Sequence, residues 1–117
     1  MSEEMKRFQE FRKKMNNRIL KNDNLEIKRF FALDKNAYKK GALTEETKEL
    51  LGLVASLVLR CDDCVTYHIQ RCIEAGFTNQ QLFEAFNIGL VVGGSIIIPH
   101  LRKAVAVLDT IRNSSSL

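Results

Sequence analysis

Along most of this chain apolar residues recur every three or four positions, the period of a helix that buries one face. No segment reads convincingly as a strand, and the pattern predicts six helices. The first spans Glu3 to Leu20, with Phe8, Phe11, Met15 and Ile19 on one side and a basic face opposite. A turn at Asn22-Asp23-Asn24 leads into a second, with Ile27, Phe30, Phe31 and Tyr38 on or near one face and Gly41 as a natural stop. Thr44 is placed to cap a third helix, since Glu45 and Glu46 follow in its first turn. That helix carries Leu50, Leu51, Leu53, Val54, Leu57 and Val58. Apolar on most sides, it is expected in the middle of the fold.

A fourth helix is predicted from near Cys61 to Gly76, with Phe77 placed for the apolar contact that accompanies a glycine stop. Thr78 and Gln81 have the spacing of a capping box and open the fifth. Gly93-Gly94-Ser95 interrupts it, and Pro99 suits the first turn of a sixth helix that reaches about Arg112. The tail from Asn113 to Leu117 is expected to be disordered. The expectation is one all-α domain over residues 1–117, with N-terminal helices over 3–40.

Composition changes this picture little. At 117 residues, 45% hydrophobic and 27% charged, the chain can bury a core without disulfide support. Its N-terminus has no apolar stretch of secretory type, and no apolar run approaches the ~18 residues of a membrane span. The net charge of +4 is concentrated at Lys6, Arg7, Arg12, Lys13, Lys14, Arg18 and Lys21. A nucleic-acid surface would use such a cluster, but the base-reading or stacking residues are not apparent. The solvated face of an amphipathic helix accounts for it better. Neither a nucleic-acid nor a membrane partner is expected.

The three cysteines are an odd number in a chain without an export signal, which points to a reducing, cytoplasmic setting. The informative stretch is Cys61-Asp62-Asp63-Cys64-Val65-Thr66-Tyr67-His68. On a helix, residues three apart bring their Cα atoms about 5 Å apart, within disulfide range. His68 stands one turn beyond Cys64, the arrangement of a thiol and its base. The helix N-terminus favours a thiolate, whereas Asp62 and Asp63 oppose one. A bland alternative is that the cysteines are small core residues and His68 is structural. A metal is the other alternative, because Cys61, Cys64, His68 and Cys72 share a face. However, eleven residues at ~1.5 Å each put Cys72 roughly 16 Å from Cys61, too far for one ion. Cys61, Cys64 and His68 could close on one ion only with distortion or a ligand from elsewhere, so we expect no metal and no cofactor, and Cys72 in the core. His100 either faces a pocket or is a structural residue at a helix start.

Cys-x-x-Cys-x-x-x-His, with Glu49 twelve residues before Cys61, resembles the AhpD-like, carboxymuconolactone decarboxylase superfamily. Ala75-Gly76-Phe77-Thr78, the following helix and the glycine-rich break fit as well, so the likeness runs from about Leu43 to Ile111. The resemblance implies an AhpD-like helical fold assembled as a trimer or hexamer. It also implies an alkylhydroperoxidase-type activity, in which a dithiol reduces peroxide and a reductant protein or small thiol resets the disulfide. By that resemblance Cys64 is the peroxidatic thiol, Cys61 the resolving one, His68 the base, and Glu49 the end of a Glu–water–His relay. Asp63 is a departure, since the family's best-known peroxidase has a histidine immediately before its second cysteine. True decarboxylases of the superfamily do not depend on Cys-x-x-Cys, so the motif counts against lactone decarboxylation. A lyase using Glu49 and His68, and a non-catalytic redox-sensing assembly, are the alternatives.

Overall fold

The computed structural model describes residues 2–115. Among the described residues there are six α-helices and one short 3-10 turn: α1 (Glu3–Leu20), α2 (Leu25–Ala37), α3 (Glu45–Val58), α4 (Asp62–Glu74), α5 (Asn79–Gly93), the turn Ser95–Ile97, and α6 (Ile98–Ser115). Local chemistry sets most of these limits. Ser2, Asn24, Thr44 and Thr78 each accept a backbone N–H at a helix start, and Thr78 and Gln81 complete a reciprocal capping box. Gly76 stops α4 at φ 96°, with the Phe77 N–H on the Cys72 carbonyl and the Gly76 N–H on the Ile73 carbonyl.

The core is formed where α3 packs on α4 and α5, and where α6 packs on α4. Leu53 and Leu57 of α3 meet Val65, Ile69 and Cys72 of α4, Leu82 and Phe86 of α5, and Ala104 and Leu108 of α6. On α4 the inward stripe is Val65, His68, Ile69 and Cys72, so the histidine is part of the face that packs. Emptying one of the leucine positions to alanine costs about 2–5 kcal/mol, the usual range for a packed core. Arg112 ties the end of α6 to the α4–α5 turn through the Phe77 carbonyl and the Asn79 side chain, both at 2.7 Å.

Four local expectations are corrected. Gly41 is not the stop of α2, whose cap is Tyr38; the Gly41 N–H instead bonds the Leu43 carbonyl within the loop. Leu51 is 55% exposed, so α3 keeps a solvent-facing edge despite its apolar run. On α1, Phe11 is 66% exposed while Arg12 turns inward, because the inward stripe runs Met5, Phe8, Arg12, Met15 and Ile19. Finally, α6 continues through 113–115, with the Ser114 hydroxyl on the Thr110 carbonyl; residues 116 and 117 of the expected disordered tail lie outside the described residues.

Helices α1 and α2 lie outside this core cluster. Lys48 of α3 grips the end of α2 through the Ala37 and Lys39 carbonyls, at 2.9 and 2.6 Å. No side chain of α2 is fully buried, and Phe30 and Leu33 are exposed. Ile88, Val91, Val92 and Ile96 give the α5 end a second exposed apolar surface. Among the described residues, no helix is long and apolar enough to cross a membrane.

Candidate active site

The α3–α4 connection places the dithiol. α3 ends with the Cys61 N–H on the Ser56 carbonyl and the Arg60 N–H on the Leu57 carbonyl, which turns Arg60 into the left-handed region at φ 61°. Cys61 thereby becomes the N-cap of α4, and its sulfur accepts the Cys64 N–H at 3.3 Å. Cys61 and Cys64 form a disulfide across 5.3 Å between Cα atoms, as the three-residue spacing allows, and Cys72 is left free. Cys72 is fully buried, and that burial, reinforced by the Glu49 charge, pushes its thiol up to about 12.

One turn on, His68 is almost fully buried and held at both ring nitrogens. Its Nδ1 lies 2.9 Å from Glu49 Oε2, and its Nε2 lies 3.3 Å from the Tyr38 hydroxyl. Glu49, on α3, is buried as well, and its other oxygen accepts from Arg71 Nε at 3.4 Å. The carboxylate thus meets the imidazole directly, not through a water. The ring of His68 sits between Tyr38 and Tyr67, with centroids 5.5 and 5.2 Å away, and the Arg12 guanidinium stacks 3.9 Å over Tyr67.

A cavity of about 470 Å³ opens over this group. Cys64, His68 and Glu49 line it together with Tyr38, Tyr67 and Arg12, so helices α1 and α2 contribute walls to a site whose chemistry is on α3 and α4. Cys61 is not among the lining residues. The cavity is large enough for a small organic molecule, and Cys64, an exposed residue, is the cysteine on its wall.

The structure assigns Asp62 and His100 to a different place. His100 Nδ1 lies 2.8 Å from Asp62 Oδ1, and Lys103 Nζ lies 3.1 Å from Oδ2, tying α6 to the first turn of α4. The His100 hydrogen bond, helped by Lys103, holds the Asp62 carboxyl below its ordinary value. His100 is therefore the structural residue, and Asp62 is not a bare charge beside the dithiol; Asp63 alone of the two lines the cavity.

Sequence reasoning missed Tyr38 as more than an apolar position, and it missed Arg12, Arg71 and Gly52. A Cβ at Gly52 would lie 2.5 Å from the Tyr38 oxygen and 2.8 Å from His68 Cε1. Only a glycine on α3 lets both groups approach. Two signals were available: a lone glycine inside an otherwise apolar helix three residues after Glu49, and Arg71 three residues after His68.

The model of the carboxymuconolactone decarboxylase family matches residues 27–109. The chain belongs to this family. The match takes in most of α2, further towards the N-terminus than the motif-bearing stretch, while α1 lies outside it. Among solved structures, one from Thermotoga maritima superposes with a TM-score of 0.92 at 51% identity, covering 95% of this chain and 97% of the other. A second Thermotoga maritima structure, at 50% identity and TM-score 0.90, covers 94% and 93%; it is described as a carboxymuconolactone decarboxylase family protein with a possible part in the antioxidative response. A Legionella pneumophila family protein shares the fold at 21% identity, with a TM-score of 0.82 over 93% of this chain and 97% of its own. Uncharacterized protein 4 of the cox locus of Paracoccus denitrificans is 34% identical over 82 residues, 70% of this chain and 74% of its own length.

Proposed function

We propose that this family member is a thiol-dependent peroxidase of the alkylhydroperoxidase type, or a closely related dithiol oxidoreductase. One observation carries the reading: Cys64 of a Cys61–Cys64 disulfide at the start of a helix shares a cavity with a buried carboxylate–imidazole pair. The antioxidative context attached to one Thermotoga maritima relative agrees with it.

In the reduced enzyme His68 takes the proton of Cys64, and Glu49 holds the resulting imidazolium. The Cys64 thiolate attacks the outer oxygen of a hydroperoxide. The O–O bond breaks, the alcohol leaves with a proton from the imidazolium, and Cys64 becomes a sulfenic acid. The Cys61 thiol then attacks that sulfur, water leaves, and the disulfide forms. Its position as N-cap suits Cys61 to this role, because the N–H groups of α4 stabilise its thiolate as attacker and as leaving group. A dithiol reductant resets the pair by exchange. The chemistry uses no metal and no cofactor, and it fits a cytoplasmic protein in a reducing environment. The exposed apolar surfaces of α2 and α5 support a homo-oligomer, a trimer or hexamer.

The test is peroxide consumption with a panel of dithiol donors, comparing wild type with Cys64→Ser. Turnover that Cys64→Ser abolishes supports the reading. Peroxide-independent conversion of a lactone acid would favour the lyase. Disulfide formation that alters assembly without turnover would favour the sensor.

A further inference from the structure

Both ring nitrogens of His68 are engaged. An ionised carboxylate only accepts hydrogen bonds, so Nδ1 carries a hydrogen towards Glu49. In the neutral ring Nε2 is then the acceptor, and the Tyr38 O–H donates to it. A thiol proton bound for Nε2 must either displace that hydroxyl or pass through it.

The surroundings of Tyr38 argue against displacement. Lys48 grips the carbonyls on either side of it, Ala37 and Lys39, and so pins the end of α2 to α3. Behind the hydroxyl lies the backbone of α3 at Gly52, so close that a Cβ there would clash with the oxygen. Tyr38 and Cys64 line the same cavity. The charged and titratable groups acting on the phenol are Asp34 of α2, Glu49 of α3, and Tyr67 and His68 of α4. Burial first, and then Glu49, pushes the phenol above its ordinary value, so it keeps its proton and serves as both donor and acceptor.

We propose that Tyr38 is the proton link between Cys64 and His68. The hydroxyl oxygen accepts the Cys64 proton as its own proton moves to His68 Nε2. One S–H and one O–H bond break, one O–H and one N–H bond form, and no electrons are transferred to or from the protein. The products are a Cys64 thiolate, an unchanged tyrosine, and an imidazolium held by Glu49. This rests on Cys64 being the reacting thiol and His68 its base. Gly52 is the positioning residue that lets the link form.

The experiment uses the reduced protein with Cys61→Ser, which leaves Cys64 as the reactive thiol of the pair. The rate of Cys64 alkylation by iodoacetamide is followed by peptide mass from about pH 5 to about pH 10, across the ordinary thiol range. Tyr38→Phe, which keeps the ring, is expected to slow the reaction about tenfold at pH 7, with recovery at high pH as hydroxide takes over. Gly52→Ala keeps every group of the path but crowds both the hydroxyl and the His68 ring and so disturbs their contact; the same pH-dependent slowing is expected, and it serves as the second arm should Tyr38→Phe not fold. His68→Gln separates the two ideas. If it slows alkylation while Tyr38→Phe keeps the parental profile, the proton passes directly, and the link is overturned with the base intact. If both variants match the parent, the base assignment falls and the link with it. A faster Tyr38→Phe, or one slowed equally at every pH, also overturns the proposal.

Discussion

Replacing Glu49 by glutamine removes one charge from the buried pair while preserving its volume, which makes it a sharp test of how Cys64 is activated. An ordinary cysteine is only a few per cent thiolate at neutral pH, so reactivity depends on how well the thiolate–imidazolium state is stabilised. Glu49 Oε2 is 2.9 Å from His68 Nδ1, and both side chains are about nine-tenths buried. A hydrogen bond to a charged group contributes about 1.5–3 kcal/mol, equivalent to roughly ten- to a hundredfold in population. Arg71 stands 3.4 Å from the other carboxylate oxygen with its side chain 45% exposed, and it already offsets part of the charge. The low end therefore applies, and Glu49→Gln is expected to slow Cys64 at pH 7 by about tenfold. His68→Ala and Glu49→Ala are expected to slow it by at least as much, and raising the pH should restore most of the loss in all three. The assay is the pH profile of Cys64 alkylation beside that of peroxide reduction. If all three variants react like wild type at pH 7, Glu49 and His68 are structural and the activation argument is wrong.

Asp63 lines the cavity beside Cys64, and Asp63→Asn is expected to speed alkylation about two- to fivefold at low salt, as loss of one nearby exposed charge in water implies. A rate that is unchanged or slower would count against it. Cys72, buried and with its thiol pushed up to about 12, should resist iodoacetamide at pH 8.5 until the protein is unfolded in urea, which peptide mapping would show. Asp62 has its carboxyl held below the ordinary 3.8, chiefly by His100. A depressed folded value means its stabilisation is present above that pH and lost as acid protonates it. Urea midpoints of wild type and Asp62→Asn should therefore differ near pH 6 and converge towards pH 3; a gap that widens in acid would refute the pairing. Phe30→Glu on α2 and Val91→Glu on α5 should each weaken self-association in light scattering, and a wild type that is monomeric at micromolar concentration would end the oligomer proposal.

Helix number and most boundaries were legible from local chemistry, because a capping threonine, a capping box or a glycine stop acts within one turn of chain. The pairing of Cys61 with Cys64 was legible for the same reason: a separation of three on a helix sets the distance by itself. Local spacing could also put His68 one turn beyond Cys64, but it could not say what the imidazole touches. That was decided by the crossing of α3 over α4, which seats Glu49 on Nδ1, and by the return of α2, which delivers Tyr38 to Nε2 from thirty residues away. The inward turn of Arg12 and the capture of Asp62 by His100 are likewise properties of neighbouring helices, invisible to a periodicity read along one helix at a time. Gly52 lies between the two kinds of information. As a glycine inside a helix it is locally unfavourable by about 1 kcal/mol, and only the tyrosine and histidine packed against it in the tertiary structure explain why it is there.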